Sequence, residues 1–169
     1  YNAETQPLRH RDGESFDRYG FARSPVAAPG PQRGLPFRYR WQDTERTLYA
    51  VEKSERDPCD GALLRYVNPA TGGFTLATMS CEVQSLAAGE RTMQHRHTST
   101  VLYHVFRGRG RTAVGESWLE WEKGDSFVIP LWQWHRHENP SAGDAVLFSL
   151  NDRPVMESLG LYREELQGA

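Results

Sequence analysis

At 169 residues, the chain has the size of one ordinary domain with an extension, and it can bury a real core. A formal net charge of -2 with no basic stripe argues against nucleic acid as a partner. No apolar run is long enough to cross a bilayer, and the opening residues lack the charged-then-apolar plan of a secretion signal. Two cysteines, Cys59 and Cys81, are too few for a disulfide framework or a thiolate metal cluster and read as reduced thiols of a cytoplasmic protein.

Residues 1–40 are rich in Arg, Pro and Gly, with Pro25, Pro29, Pro31 and Pro36 in one stretch. Proline fixes φ and removes a donor, so this segment is predicted to run as an irregular arm that packs on something or wraps a partner. Residues 43–55 read as a short helix, capped by Asp43 or Thr44, with Leu48, Ala50 and Val51 as its apolar patch and Asp57-Pro58 as its stop. From Gly73 the period changes to two. Residues 74–86 read as one long strand, followed by strands over 100–106, 112–114, 118–121, 125–129 and 145–150, with a turn at 115–117. Gly89, Gly108, Gly110, Gly124 and Gly143 punctuate the series. Short strands at regular spacing predict an all-β barrel or sandwich. Residues 152–160 read as one or two helical turns with Asp152 as cap, Pro154 in the first turn and Gly160 at the end. The predicted organisation is an arm plus helix over 1–60, a barrel over 61–151 and a short helix and tail over 152–169. There is no internal repeat.

Chemistry concentrates in three histidines. His95 and His97 are one residue apart, so on a strand both imidazoles point the same way. His135, from a distant strand, would complete three ligands on one side of a metal and leave open positions for a substrate. His104 alternates away from Tyr103 and reads as exterior. Trp41, Trp118 and Trp121 read as core or interface, and Arg107, Arg109 and Arg111 as a solvated hairpin.

The spacings Gly89-x5-His95-x-His97 followed by Gly108, and Gly124-x5-Pro130-x-Trp132-x2-His135-x3-Asn139, resemble the two motifs of the cupin superfamily, small jelly-roll barrels with a metal in the lumen. The glutamate that usually follows the second motif histidine is missing from Thr98-Ser-Thr-Val-Leu102. Within cupins, that departure and the Trp132-x-Trp134-His135-x-His137-x-Asn139 run resemble the gentisate 1,2-dioxygenase group, which includes salicylate and 1-hydroxy-2-naphthoate dioxygenases. These are Fe(II) enzymes that hold iron with three histidines and cleave aromatic rings. Segments 64–73, 151–155 and 159–163 are similar to the C-terminal half of those two-barrel proteins. There the working iron is usually in the other barrel, and the C-terminal one often serves as structure.

The resemblance makes His95, His97 and His135 the iron ligands, His137 a substrate-contacting histidine and Gln84 a substrate-facing glutamine. Tyr103 stands where the iron-bearing barrel has an arginine that grips the substrate carboxylate; a tyrosine supplies one hydrogen bond, not a bidentate charged clamp. Imidazoles suit Fe(II), Zn, Cu, Ni and Mn alike; the resemblance selects iron. His137 is predicted to take a proton from a substrate hydroxyl. Trp132, Trp134 and Tyr103 are predicted to wall the site with aromatic rings. Two functions follow: a mononuclear dioxygenase acting on a hydroxylated aromatic ring and dioxygen, or a non-catalytic C-terminal barrel supporting a larger enzyme. Either is expected to form a homo-oligomer through sheet edges or the arm, with no nucleic-acid or membrane partner.

Overall fold

The computed structural model describes residues 37–54 and 56–168. The predicted proline-rich arm and His10 therefore fall almost wholly outside the described residues. The elements run in the order α1 (Trp41–Ser54), β1 (Ala62–Arg65), β2 (Ser80–Leu86), β3 (His95–His97), β4 (Val101–Arg107), β5 (Arg109–Val114), β6 (Ser117–Glu122), β7 (Ser126–Ile129), β8 (His135–Glu138), β9 (Ala145–Asn151), α2 (Arg153–Ser158) and β10 (Glu164–Leu166). Two five-stranded antiparallel sheets form, ordered β1-β2-β9-β4-β7 and β10-β3-β8-β5-β6. From β2 onward, nearly every connection carries the chain from one sheet to the other, as in a jelly roll. No helix among the described residues is long and apolar enough to cross a membrane.

Side-chain alternation builds two cores from the first sheet. Along β4 the pattern buried-exposed-buried sends Val101, Tyr103 and Val105 inward and His104 outward, as the sequence predicts for His104. With Leu86, Trp121, Ile129, Ala145 and Leu147 they fill the space between the sheets. On the other side of the first sheet, Ala62, Val83 and Val146 meet Leu48 of α1. Gly108 turns the chain between β4 and β5 at φ 81°, and a Cβ there would lie 2.6 Å from the carbonyl oxygen of Asp144, so both backbone conformation and space require glycine.

Several expectations need correction. The first helix begins two residues early, so Asp43 and Thr44 lie in its first turn, their amides donating to the carbonyl of Arg40 at 3.1 Å, and neither is the cap. Ala50 is exposed and not part of the apolar patch. The long strand over 74–86 is paired only over Ser80–Leu86. The preceding residues form an irregular loop, closed by the Val67–Phe74 bridge and by Thr75 Oγ1 donating to the Tyr66 carbonyl at 2.9 Å. Asp152 precedes the second helix without a side-chain cap. Its carboxylate instead accepts from the Thr100 amide at 2.9 Å, tying the tail to the barrel. The tail then returns as β10, whose Glu164 and Leu166 pair with His97 and His95. Arg107 is no free hairpin cation: it pairs with Glu45 of α1 and with Asp144. Trp118 is not buried; the residue is 41% exposed, and its ring lies beneath Arg111 and Arg136.

Candidate metal centre

Strand register gathers the histidines. In the second sheet β3 pairs with β8 through His95 opposite His135, and β8 pairs with β5 through His137 opposite Thr112. His95 and His97 share the inward face of β3, and His135 and His137 that of β8, because alternate residues of a strand face the same way. Each of His95, His97 and His135 offers a ring nitrogen, and the three lie within 4.8 Å of one another. The ring centroid of His135 is 4.1 Å from that of His95 and 5.0 Å from that of His97. All three residues are buried.

The environment keeps the imidazoles neutral. Burial, reinforced by neighbouring histidines, pushes His95 down to about 4 and His135 to about 2. Burial also lowers His97, against the pull of the Ser99 carbonyl. Nδ1 of His97 donates to the Ser99 carbonyl at 2.8 Å, and Nδ1 of His135 to that of Gln133 at 2.9 Å. Each bond fixes the tautomer that leaves Nε2 with a free lone pair, which a metal ligand needs. Nε2 of His135 is buried without a hydrogen-bond partner, a costly state for a polar atom in a protein interior. Neutral and convergent nitrogens, one of them unpartnered, fit a divalent transition-metal ion.

His137 is fully buried, and burial pushes it down to about 3. Its Nδ1 lies 2.8 Å from Thr112 Oγ1, and its Nε2 has no partner. The Tyr103 ring stacks on Phe127 at 5.1 Å and meets the His137 ring edge-on at 5.0 Å. Burial, with the charges of Asp60 and Glu82, holds the Tyr103 hydroxyl well above its ordinary value, so it stays protonated. Gln84, 2% exposed on β2, shares the inward face with Leu86 and leaves its Nε2 unpartnered.

The rings of the two other predicted wall residues lie against a cation. Trp132 and Trp134 sandwich the guanidinium of Arg96 at 4.4 and 4.5 Å, and Arg96 in turn pairs with Glu165. Arg96 lies between two inward histidines and Trp134 directly precedes one, so period two sends both outward. Trp132 serves the site through its backbone: at φ 61° it turns the chain, and its amide donates to the His97 carbonyl at 2.7 Å. Sequence reasoning missed Thr112, which reaches His137 only through the β5–β8 register. Outside that register, the Asp60 carboxyl is pushed up to about 8 by burial and by Asp57, Glu82 and Glu164. Asp60 sits in the loop whose Pro58 carbonyl accepts from the Met93 amide at 2.7 Å, just before β3. No short motif marks either residue.

Comparison with known proteins follows the same lines. Residues 82–151 match the model of a cupin domain. The chain is 43% identical over 141 residues to a 5-aminosalicylate 1,2-dioxygenase of Comamonas sp., covering 82% of this chain and 37% of that protein. It is 39% identical over 176 residues to a gentisate 1,2-dioxygenase of Haloferax sp., covering 97% of this chain and 48% of that protein. Among solved structures, the salicylate 1,2-dioxygenase of Pseudoaminobacter salicylatoxidans in its adduct with gentisate superposes with a TM-score of 0.71 at 32% identity, covering 84% of this chain and 42% of the other. The chain thus spans under half the length of the relatives it matches.

Proposed function

The chain belongs to the cupin superfamily, in its gentisate 1,2-dioxygenase-like group, and on that premise we propose that it carries a mononuclear Fe(II) centre for oxidative cleavage of a hydroxylated aromatic ring. The observation that supports this reading most is the complete, buried and neutral triad of His95, His97 and His135. Iron(II), when bound by these residues, supplies open coordination positions and the electron-transfer chemistry that dioxygen needs. The chain's own residues do the rest. Burial keeps bulk water from the imidazoles, and the Ser99 and Gln133 carbonyls hold two of them in the ligand tautomer. His137, Gln84 and the Tyr103 hydroxyl present hydrogen-bonding groups toward a ring-bound oxygen, and the ring of Tyr103 with Phe127 offers an apolar face. Trp132 and Trp134 act on the ligand strand from outside.

A second reading has its own observation. The family resemblance puts Tyr103 where the iron-bearing barrel has a carboxylate-gripping arginine, and the chain spans under half of its relatives. On that reading it is the non-catalytic barrel of a two-barrel dioxygenase. Anaerobic iron loading followed by metal analysis and dioxygen uptake on gentisate, salicylate and 1-hydroxy-2-naphthoate separates the two. One iron per chain with uptake supports the enzyme; absence of stoichiometric metal sinks it and leaves the structural barrel. We propose a cytoplasmic location, a compartment that keeps thiols such as Cys59 and Cys81 reduced. We also propose a homo-oligomer joined at sheet edges or by the arm, which a monomeric mass in light scattering would rule out.

A further inference from the structure

We propose that Thr112, itself held by the indole of Trp121, fixes His137 with its proton on Nε2, so that His137 faces the metal site as a hydrogen-bond donor rather than as a base. The assignment follows from counting protons. The Trp121 indole nitrogen can only donate, and it donates to Thr112 Oγ1 at 2.8 Å. That hydroxyl is fully buried, and its own single proton needs an acceptor. The other partner of this oxygen is His137 Nδ1 at 2.8 Å. The hydroxyl therefore donates to Nδ1, which must be bare, and the neutral ring carries its proton on Nε2. With the opposite tautomer two N–H groups would converge on one oxygen, and the Thr112 proton would be stranded in the interior. That form would leave two buried groups unmatched, the Thr112 proton and the Nε2 lone pair, against one, the Nε2 proton, in the assigned form, and one such group is worth roughly tenfold.

The fold is arranged to hold this relay. Thr112 is cross-strand from His137, and Gly110, two residues earlier on the same strand, is cross-strand from Trp121. A Cβ on Gly110 would lie 2.4 Å from the Trp121 ring and 2.6 Å from the Glu138 carbonyl oxygen. Only glycine lets the indole lie close over β5 and reach Thr112. The backbone of His137 is clamped as well: its amide donates to Thr92 Oγ1 at 3.0 Å, and its carbonyl accepts from the Thr92 amide at 3.0 Å. The ring thus has little freedom to turn its Nδ1 elsewhere.

The role this gives His137 differs from the one its sequence position suggests. An imidazole that already carries its proton on the inward nitrogen does not accept one from a substrate hydroxyl there. It donates to an oxygen that bears negative charge. The amide nitrogen of Gln84, likewise buried and unpartnered, adds a second inward donor. If the reading of the previous subsection holds, the group these donors recognise is an anionic oxygen of the aromatic ligand, a phenolate or carboxylate. The tautomer itself does not depend on that reading.

The test is nitrogen NMR of histidine-labelled protein, run on the whole chain kept free of paramagnetic metal. His137 is expected to show a bare Nδ1 and a protonated Nε2. Thr112→Val, which keeps the shape and removes the hydroxyl, is expected to abolish this preference and bring the two tautomers within about threefold of each other. Thr112→Ser is expected to restore it. Gly110→Ala, which displaces the indole, is expected to weaken the preference while leaving the threonine in place. A protonated Nδ1 in the unsubstituted protein overturns the proposal, as does a Thr112→Val spectrum identical to it. Iron binding without ring cleavage would instead overturn the proposed activity and leave the tautomer assignment standing.

Discussion

On β2, β9 and β4 the inward positions are held by Leu86, Leu147, Val101 and Val105, with Gln84, Tyr103, Ser149 and Asn151 as polar exceptions; on β3, β5 and β8 they are held by His95, His97, Thr112, His135 and His137. The outer faces repeat the contrast. The first sheet is covered by α1 through Leu48, Ala62, Val83 and Val146. The second carries Glu138, bonded to Arg111 and Arg136 and paired with Arg91, and the stacked sets Arg96–Trp132–Trp134 and Arg111–Trp118–Arg136. One sheet is held mainly by apolar burial on both faces. The other places imidazoles in the interior and draws cohesion from hydrogen bonds within and ion pairs outside. Each buried polar group of the second sheet needs a named partner, whereas an apolar group needs only volume.

The contrast breaks most sharply at the triad. His135→Ala is expected to reduce bound metal from one per chain to near zero while the barrel stays folded, read by elemental analysis beside circular dichroism. Leu147→Ala, on the facing sheet, is expected to cost about 2–5 kcal/mol in denaturant unfolding, because its fully buried side chain leaves a cavity. The metal content of the folded fraction should not change. If Leu147→Ala strips the metal as completely as His135→Ala, the division between the sheets is wrong. A smaller effect is expected on the outside. Glu138→Gln should destabilise by about 1–3 kcal/mol, because it removes a shielded carboxylate from its arginines. Burial raises the pKa of Glu138, but Arg111 and Arg136 outweigh it and hold the carboxyl below its ordinary value. The contribution is therefore present above the ordinary carboxylate value of about 4.3 and is lost as pH falls through the folded value. The gap between variant and parent should close in acid.

The same contrast explains what could be read in advance. His95, His97 and His135 were legible because period two and motif spacing are local properties of the chain, and so was the inward turn of Tyr103 opposite an outward His104. Trp132 and Trp134 read as a wall by residue type, whereas their rings lie against Arg96 and Trp132 sits in a turn ahead of the strand. Thr112 and Trp121 were not legible as site residues, since nothing in their neighbourhood refers to His137; only the pairing of β5 with both β8 and β6 brings the three together. β10 escaped for a related reason. A three-residue strand has almost no pattern of its own, and its pairing with β3 is fixed by tertiary contact. The loop at 74–79 reads as strand by composition, yet the double glycine before it and the Val67–Phe74 bridge fold it back.

The smallest effect expected is a flat one. Three imidazoles with ordinary values near 6.5 would have to lose protons to bind a metal, and the affinity of such a site would rise roughly 60-fold between pH 6 and 8. Here the second sheet has already removed those protons: burial lowers His95 to about 4 and His135 to about 2, and lowers His97 in the same direction. Each base is depressed, so it is neutral above its folded value, and metal binding releases almost nothing across this range. Competition titration with Zn(II) at pH 6, 7 and 8 is expected to show less than about a threefold change in affinity. A rise approaching 60-fold would mean that the imidazoles are solvated and charged before the metal arrives, and that the histidine sheet is as open to water within as it is on its arginine-lined exterior.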